Sequence, residues 1–348
     1  VACGTQELKG PSGSSGSSGA ADPDDAGVVA EGGRDPSSDL DGGTLPMTSA
    51  ISIQVEPTDN GLAVLNAIKG AKKSVHMTMY LLSNNQVINA LIDLKKAGKD
   101  VKVVLNKNFP ANAGSNQSTY DTLKAAGVSV VWAPAGYQYT HAKTVILDGT
   151  SVLIMTMNLT YTSASQNREY IVTDTDPQDI ADAEMIFQGD YTNAATTVNG
   201  KLVLSPKSTS SIDARARLKA LIDGATKTLD VEGETLSDDA LVDAMILAHQ
   251  QNVAVRIVVD GSQDPTPAQA DSIALLKAAN VPVVSVKAPT IHAKAIVADG
   301  VRGYVGSQNF TTNSLFNNRE IGVLTDAASE LAKVTTAISQ DFAAGSPL

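Results

Sequence analysis

The feature that most constrains the fold of this chain is a stretch of sequence that occurs twice. Thr140–Glu169 reads THAKTVILDGTSVLIMTMNLTYTSASQNRE, and Ile291–Glu320 reads IHAKAIVADGVRGYVGSQNFTTNSLFNNRE. At a constant offset of 151 residues, the recurring residues are His141, Lys143, Asp148, Gly149, Asn158, Asn167, Arg168 and Glu169, then His292, Lys294, Asp299, Gly300, Asn309, Asn318, Arg319 and Glu320. Unrelated hairpins would share apolar positions rather than this polar set, so the chain contains an internal repeat of domain length.

The length of the chain fits two domains of the size that the repeat implies. The sequence has 348 residues, and a domain usually takes ~150. From Ile51 onwards, predicted strands alternate with amphipathic helices, which favours an α/β fold. We therefore predict two tandem α/β units, residues 47–197 and 198–348, each a mixed sheet flanked by helices and related to the other by a pseudo-twofold axis.

The first 46 residues have a different composition from the rest. They are rich in Gly, Ser, Asp and Pro and bury too little apolar surface to offset the entropy of ordering, so we interpret them as a disordered tether. Val1-Ala2-Cys3-Gly4 resembles the end of a bacterial lipoprotein signal, in which Cys3 would carry the lipid; the alternative is an incidental free thiol. The sequence thus predicts an extracytoplasmic protein, anchored by lipid to a bacterial membrane.

Charge and composition argue against a dedicated nucleic-acid-binding protein. The net charge is −11, and beyond residue 50 the chain holds 29 acidic and 24 basic side chains. A protein that binds duplex DNA usually carries a basic face, and one that binds single strands needs aromatic side chains for stacking, which make up 4% of this sequence. Nucleic acid is therefore the less favoured partner.

The repeated residues are of chemically reactive types. His141 and Lys143 are two residues apart on a predicted strand, so both side chains leave the same face, and His292 and Lys294 repeat the arrangement. The Asn-Arg-Glu that ends each copy could return a carboxylate to the imidazole. The alternatives are a surface carboxylate paired with the adjacent arginine, an Asp-Gly sequence needed only for a hairpin turn, and a metal site, which the lysines disfavour.

The motif His-x-Lys, four residues, Asp, then Gly-Ser-x-Asn resembles the HKD motif of the phospholipase D superfamily. The resemblance covers both halves of the chain beyond residue 50, and it implies one active site built from both motifs. It implies that His141 attacks phosphorus to give a phosphohistidine, and that His292 protonates the leaving alcohol and later activates water or an acceptor alcohol. The full set of catalytic residues implied is His141, Lys143, Asp148, Asn158, Glu169, His292, Lys294, Asp299, Ser307, Asn309 and Glu320.

Within this resemblance, each glutamate would hold one imidazole through its other ring nitrogen. Both lysines and both asparagines would surround the phosphoryl oxygens and hold their charge through the transition state. These fixed charges would do the work of a metal ion, so the resemblance implies no metal and no cofactor.

The first copy departs from the motif where the second keeps it. Gly306-Ser307-Gln308-Asn309 is matched by Met155-Thr156-Met157-Asn158. The hydroxyl of Thr156 can replace that of Ser307. We expect Met155, in place of glycine, to lie beside the pocket, where it would narrow the pocket or favour an acyl or glycerol group.

A second polar pattern bears on the substrate. Asp230, Glu232 and Glu234 share one face of a predicted strand, and His76, Thr78 and Tyr80 occupy the matching face 154 residues earlier. If these faces line the cleft, the three carboxylates would suit a cationic head group; otherwise they belong to a solvated strand end. The selectivity candidates are therefore Met155, Thr156, His76, Tyr80, Glu232 and Glu234.

Together these observations predict a metal-independent phosphodiesterase that hydrolyses or transfers phosphatidyl groups through a phosphohistidine. Its partners would be a phospholipid or other phosphodiester and, through the lipid anchor, a membrane surface. The alternatives are a nonspecific endonuclease of the same superfamily and an inactive scaffold that binds a phosphate-bearing ligand.

Overall fold

The structure is a computed structural model, and it describes residues 45–110, 114–209 and 213–348. Nearly all of the predicted tether, including Cys3, lies outside these residues. Thr48, near the first described residue, hydrogen-bonds through its amide to the carbonyl of Leu324, at 3.0 Å. The segment that precedes the first half of the fold is therefore hydrogen-bonded to the second half.

Strands and helices alternate through the first half, as the sequence predicts. The strands are β1 (Ile51–Glu56), β2 (Ser74–Met79), β3 (Asp100–Leu105), β4 (Ser129–Trp132), β5 (Lys143–Leu147), β6 (Ser151–Met155) and β7 (Asn167–Asp174). The helices are α1 (Leu62–Gly70), α2 (Asn85–Lys96), α3 (Gln117–Ala125), α4 (Tyr161–Gln166) and α5 (Pro177–Thr192). Asn84 caps α2 by accepting hydrogen bonds from the amides of Gln86 and Val87.

The second half repeats this order. Its strands are β8 (Val203–Ser205), β9 (Thr228–Gly233), β10 (Ala254–Asp260), β11 (Val283–Val286), β12 (Thr290–Ile291), β13 (Lys294–Ala298), β14 (Arg302–Gly306), β15 (Glu320–Thr325) and β16 (Ser346–Pro347). Its helices are a 3-10 turn at Lys207–Thr209 and α6 (Ala214–Asp223), α7 (Asp239–Gln250), α8 (Pro267–Ala278), α9 (Thr312–Phe316) and α10 (Ala328–Ala344). In the part of the chain that the structure describes, no helix has the length and apolar character needed to cross a bilayer.

Each half forms one mixed sheet. The first has the order β1-β7-β6-β5-β2-β3-β4, and β12 from the second half is added beside β7. The second has the order β16-β11-β10-β9-β13-β14-β15-β8. Strands β2, β3 and β4 are parallel and are connected by helices, whereas β5, β6 and β7 are antiparallel neighbours; a short turn joins β5 to β6, and a segment containing α4 joins β6 to β7. The prediction of two mixed α/β sheets flanked by helices is confirmed.

The apolar core has three layers. Two outer clusters lie between each sheet and its own helices, α1 to α4 in the first half and α6 to α9 in the second. The central cluster includes apolar residues of both sheets and of α5 and α10, such as Ile154 and Phe187 from the first half and Val297 and Leu331 from the second. Because this central layer is shared, separating the halves would expose it to water.

Two buried ion pairs join the halves reciprocally. Arg168 of β7 donates to both carboxylate oxygens of Asp341 in α10, at 2.6 and 3.0 Å. Arg319 donates to both carboxylate oxygens of Asp190 in α5, its shortest contact being 2.8 Å. Residues 190 and 341 are also 151 apart, so each ion pair is the repeat equivalent of the other. An approximate twofold axis between the halves requires this correspondence.

Candidate active site

The two repeated motifs meet at the interface because short strands cross between the halves. Thr290–Ile291, directly before His292, runs parallel to Asn167 and Arg168 of the first half. Thr140, directly before His141, forms the equivalent parallel bridge to Arg319 of the second half. Each histidine therefore lies beside the Asn-Arg-Glu segment of the other repeat.

The histidine–glutamate pairs are crossed in consequence. Nδ1 of His141 lies 2.9 Å from the carboxylate of Glu320, and Nδ1 of His292 lies 2.9 Å from that of Glu169. A carboxylate therefore lies at each imidazole, as the sequence suggested, but it comes from the other repeat and not from the same one. The alternative of surface carboxylates is wrong, because both glutamates are fully buried and the adjacent arginines pair with aspartates instead.

Further hydrogen bonds hold both carboxylates in place. Thr156 donates to Glu169 at 2.5 Å, and Ser314 donates to Glu320 at 2.5 Å. The side-chain amide of Asn167 donates to Glu169 at 3.2 Å, and Asn318 repeats this contact with Glu320 at 3.3 Å. With each carboxylate fixed, each imidazole has one preferred orientation and directs Nε2 away from its glutamate.

The lysines and asparagines of the motif are buried at the same place. Lys143 and Lys294 each donate to the main-chain carbonyl of their own histidine, at 2.7 Å in both halves. The side-chain oxygen and nitrogen of Asn309, and the side-chain oxygen of Asn158, have no hydrogen-bond partner among the described residues. Buried amides without partners are costly, so these atoms are suited to contact a ligand.

One repeat position breaks the symmetry of the site. Tyr80 follows β2, and its ring lies 4.9 Å from the ammonium of Lys143 and 4.6 Å from the imidazole of His141. Glu234 follows β9 at the matching place, and its carboxylate lies 2.7 Å from Lys294 and 3.5 Å from Nε2 of His292. An aromatic face thus borders one histidine and a carboxylate borders the other.

Asp148 and Asp299 lie outside this constellation, contrary to the prediction from the resemblance. Asp148 follows the far end of β5, roughly 16 Å along the strand from Lys143. Its carboxylate accepts hydrogen bonds from three successive amides, Lys72 to Ser74, at 2.6–3.0 Å. Asp299 binds the amides of Thr226 to Thr228 in the same way. Both aspartates fasten a hairpin turn to the start of a neighbouring strand.

Removing the Asp148 carboxylate should therefore affect stability rather than chemistry. We expect Asp148→Ala to lower the free energy of unfolding by roughly 2 to 4 kcal/mol, because three amides lose their acceptor and alanine is strained at this φ of 57°. Asp148→Asn should cost less, since asparagine tolerates this φ and keeps one acceptor oxygen. Urea unfolding measures the loss, and turnover per folded molecule should stay near wild type; a collapse of turnover in folded protein would restore the catalytic interpretation.

The same contacts give Asp148 a pH signature. Partial burial acts to raise the pKa of this carboxyl, but the hydrogen bonds from the three amides outweigh it and the pKa lies below its ordinary value. The stabilisation is therefore present at neutral pH and is lost as the pH falls through the lowered pKa.

His76 is also excluded from the site. Its ring lies between Glu184 of α5, at 2.7 Å, and Asp100 of β3, at 3.1 Å, and it stacks on Phe187 at 4.9 Å. The prediction that His76 affects substrate selectivity is not supported by this position, because the side chain is directed at α5. Burial acts to lower its pKa, but the two carboxylates dominate and raise it.

The predicted row of three cleft carboxylates is wrong, because the structure divides them among three environments. Asp230 pairs with Arg256 at 2.8 Å. Glu232 is fully buried between the halves, where it accepts a 2.5 Å hydrogen bond from Tyr170. Of the three, Glu234 alone lies beside a site histidine, His292, and Lys294 offsets its charge. The strand end is not solvated either, so neither interpretation of the sequence pattern holds.

Burial of Glu232 predicts a pH dependence of stability. Desolvation, followed by the charge of Asp341, raises the pKa of Glu232 to about 8. An unfolded glutamate titrates at about 4.3, so between these values unfolding releases a proton and stability falls as pH rises, by up to about 1.4 kcal/mol per pH unit. Glu232→Gln should remove most of this decline. Urea unfolding at pH 5 and pH 8 tests it, with the exposed carboxylate change Asp271→Asn as control; an unchanged slope in Glu232→Gln would contradict the assignment.

Met155 faces the apolar core rather than the pocket. It is fully buried in the outer cluster of the first half together with Leu153, Met157 and Ile171. The corresponding second-half residues are Tyr304, Gln308 and Gly322 around Gly306, where an added Cβ would lie 2.3 Å from the Tyr304 hydroxyl and 2.5 Å from Cα of Gly322. The same region of the core is therefore filled by the Met155 side chain in the first half and by the Tyr304 side chain beside Gly306 in the second. The expected narrowing of the pocket by Met155 is wrong.

The hydroxyls of Thr156 and Ser307 share one structural contact. Thr156 accepts a hydrogen bond from the amide of Tyr170 at 2.8 Å, and Ser307 accepts one from the amide of Ile321 at 3.0 Å. Both side chains are fully buried. Thr156 thus replaces the serine as expected, but both hydroxyls join neighbouring strands, and only that of Thr156 also donates to a site glutamate.

Sequence reasoning missed two sets of residues that support the site. Asp190 and Asp341, which neutralise the arginines next to the glutamates, recur at the offset of 151 and could have been found by extending the repeat. Ser314 recurs as Ser163, but the first-half serine accepts from Thr160 instead of donating to a glutamate. The offset of 151 residues would have identified Ser314 as a repeated residue, but not its hydrogen bond to Glu320.

This fold, with two histidine–lysine motifs at the interface of its halves, defines a class of protein. The family described as cardiolipin synthase, PLD-like domain, matches residues 64–191 and 218–344. The chain belongs to this phospholipase D-like family, with one such domain in each half.

Individual relatives are distant. Mitochondrial cardiolipin hydrolase of Danio rerio is 26% identical over 115 residues, covering 33% of this chain and 49% of that protein. Polyphosphate kinase of Pseudomonas syringae pv. tomato is 23% identical over 223 residues, covering 60% of this chain and 30% of that one. The chain thus spans half or less of the length of these relatives. Phosphatidylserine synthase of Haemophilus influenzae Rd KW20 has a TM-score of 0.67 and 13% identity, covering 87% and 89% of the two chains, which shows a shared fold.

Proposed function

We propose that the protein is a metal-independent phosphodiesterase that hydrolyses or transfers phosphatidyl groups through a phosphohistidine. The observation that carries the proposal is the crossed arrangement of two buried histidine–glutamate pairs beside two lysines. Each imidazole is held at Nδ1, so both have the orientation that nucleophilic or acid–base chemistry at Nε2 requires.

In the proposed reaction, the first step divides the work between the two histidines. Nε2 of His141 forms a bond to phosphorus while the phosphorus–oxygen bond to the leaving alcohol breaks. His292 gives the proton on its Nε2 to that oxygen. The ammonium groups of Lys143 and Lys294 and the amide of Asn309 stabilise the negative oxygens of the transition state.

The second step reverses the first with a different alcohol. His292, now neutral, removes a proton from water or an acceptor alcohol, whose oxygen attacks the phosphohistidine. The bond between phosphorus and His141 breaks, and the neutral imidazole is restored. Water as acceptor gives hydrolysis, and an alcohol gives transfer.

A lipid substrate is favoured by the residues around Tyr80. Phe109 and Tyr139 are half-buried, with ring centres 4.9 and 6.2 Å from that of Tyr80. An aromatic rim suits the glycerol and upper acyl region of a phospholipid. Relatives in the family are named for cardiolipin and phosphatidylserine, in keeping with this substrate class. A membrane-surface location through lipid on Cys3 belongs to the same proposal.

Release of head groups from mixed phospholipid vesicles, with plasmid nicking run in parallel, tests the proposal. Both assays contain EDTA and use His141→Asn as the blank. We expect head-group release that the substitution abolishes. Nicking without release would favour the endonuclease, and inactivity in both assays would favour a scaffold that only binds phosphate-bearing ligands.

A further inference from the structure

The two halves of the site differ most at one repeat position, occupied by Tyr80 in the first half and Glu234 in the second. The histidines, lysines, asparagines and glutamates of the motif are the same on both sides, so they do not determine which histidine attacks and which donates the proton. The residue that follows β2 or β9 is therefore the place to look for that distinction.

His292 lies between two carboxylates. Glu169, from β7 of the first half, faces Nδ1 at 2.9 Å, and Glu234 faces Nε2 at 3.5 Å. Lys294 lies on the same side and shares the Glu234 carboxylate at 2.7 Å, while Asp260 at the end of β10 accepts a hydrogen bond from the amide of Ile291, next to His292. Each ring nitrogen of His292 therefore faces a carboxylate that can accept its proton.

Beside His141, the repeat position that Glu234 occupies near His292 is taken by Tyr80. The ring of Tyr80 meets the imidazole edge to face, with an interplanar angle of 72°. The same ring holds the ammonium of Lys143 over its face. An aromatic ring thus occupies, beside His141, the repeat position that a carboxylate occupies beside His292.

We propose that Glu234 is the positioning residue that makes His292 the proton donor, by attracting the Nε2 proton that the leaving alcohol takes and by holding the adjacent Lys294 in place. This inference rests on the proposed phosphodiesterase function and adds a residue that the histidine–lysine motif does not contain. The 3.5 Å separation is long for a hydrogen bond, so the Nε2 proton is attracted by Glu234 without a short bond to it. An alcohol oxygen can therefore take that proton as its bond to phosphorus breaks.

A second interpretation gives Glu234 only the task of fixing Lys294. The two interpretations predict different dependence on the leaving group. Loss of a proton donor slows the release of a poor leaving group, such as an alkoxide, and spares p-nitrophenolate, which leaves without a proton. Loss of a correctly placed lysine weakens stabilisation of the phosphoryl oxygens and slows both reactions alike.

The experiment measures, by rapid quench in a single turnover, the rate constant for forming the phosphohistidine from two phosphatidyl esters, one of p-nitrophenol and one of glycerol, with Glu234→Gln, Glu234→Asp and wild type. Glu184→Gln, which changes a histidine–glutamate pair outside the site, is the matched control. We expect Glu234→Gln to lower this rate constant for the glycerol ester by on the order of 100-fold or more and for the nitrophenyl ester by only a few-fold. Glu234→Asp should recover part of the glycerol activity.

An equal loss on both esters, or no loss on either, overturns the proposal. Circular dichroism and thermal unfolding check that each variant is folded; if Glu234→Gln does not fold, the same comparison is made with Glu234→Asp, and an equal loss on both esters there has the same meaning. A wild-type protein that cleaves neither ester would contradict the phosphodiesterase function itself, so the two failures are distinguishable.

Discussion

Replacing His141 by asparagine should lower the rate of phosphodiester cleavage by at least about 10⁴-fold, because the substitution removes the atom that bonds to phosphorus in the proposed reaction. Loss of a nucleophile that acts within a coupled set costs as much as losing the whole set. Asparagine is smaller than histidine and polar, so the buried contact with Glu320 at 2.9 Å in the wild type can be partly retained. The measurement is kcat on a nitrophenyl phosphodiester.

Trapping of the phosphorylated enzyme separates this role from a merely structural one. Wild type and His292→Asn, stopped in alkali after mixing with the nitrophenyl ester, should both carry phosphorus on histidine, and His141→Asn should carry none. Phosphorus on His292 in the His141→Asn variant would reverse the assignment of the two histidines.

Replacing Glu320 by glutamine should slow formation of the phosphohistidine by on the order of 10² to 10⁴-fold, the range found when the carboxylate that orients a catalytic histidine is neutralised. Glu320 holds Nδ1 of His141, and the side chains of Ser314 and Asn318 in turn hold Glu320. A glutamine can present its amide nitrogen to the ring, which favours the tautomer with the proton on Nε2 and blocks attack.

Glu169→Gln provides the mirror comparison. Because Glu169 holds His292, this variant should still form the phosphohistidine from the nitrophenyl ester but break it down slowly, so the phosphorylated enzyme accumulates. Rapid-quench kinetics distinguish the two variants. If Glu320→Gln accumulated the intermediate and Glu169→Gln did not form it, each glutamate would serve its own repeat, contrary to the crossed pairing.

The repeat predicts much of this site from sequence alone. A constant offset of 151 residues identifies the histidines, lysines, asparagines and glutamates without any knowledge of the fold. The Asp-Gly sequences predict the hairpin turns, where Asp148 and Gly149 both have positive φ. Strand–helix alternation predicts the mixed sheets.

The remaining features depend on contacts between the halves. The sequence near His141 does not specify whether its carboxylate comes from Glu169 or Glu320, because the choice is made by the parallel bridge between Thr140 and Arg319. Alternation along β6 places Met155 and Leu153 on one face but does not say whether that face borders the outer cluster or the central one. The environment of Glu232 depends on Tyr170 of the other half, so a strand pattern alone could not reveal it.

The crossed glutamates also determine when the protein can become active during its synthesis. Once the ribosome has completed the first half, His141 is present but its carboxylate, Glu320, has not been made, and Glu169 has no imidazole to hold. In the proposed reaction, the first half alone would therefore hold neither a complete nucleophile nor a complete acid. Both would be completed together, when the last strands of the second half dock, and a truncated chain that ends before β15 should show no phosphodiesterase activity.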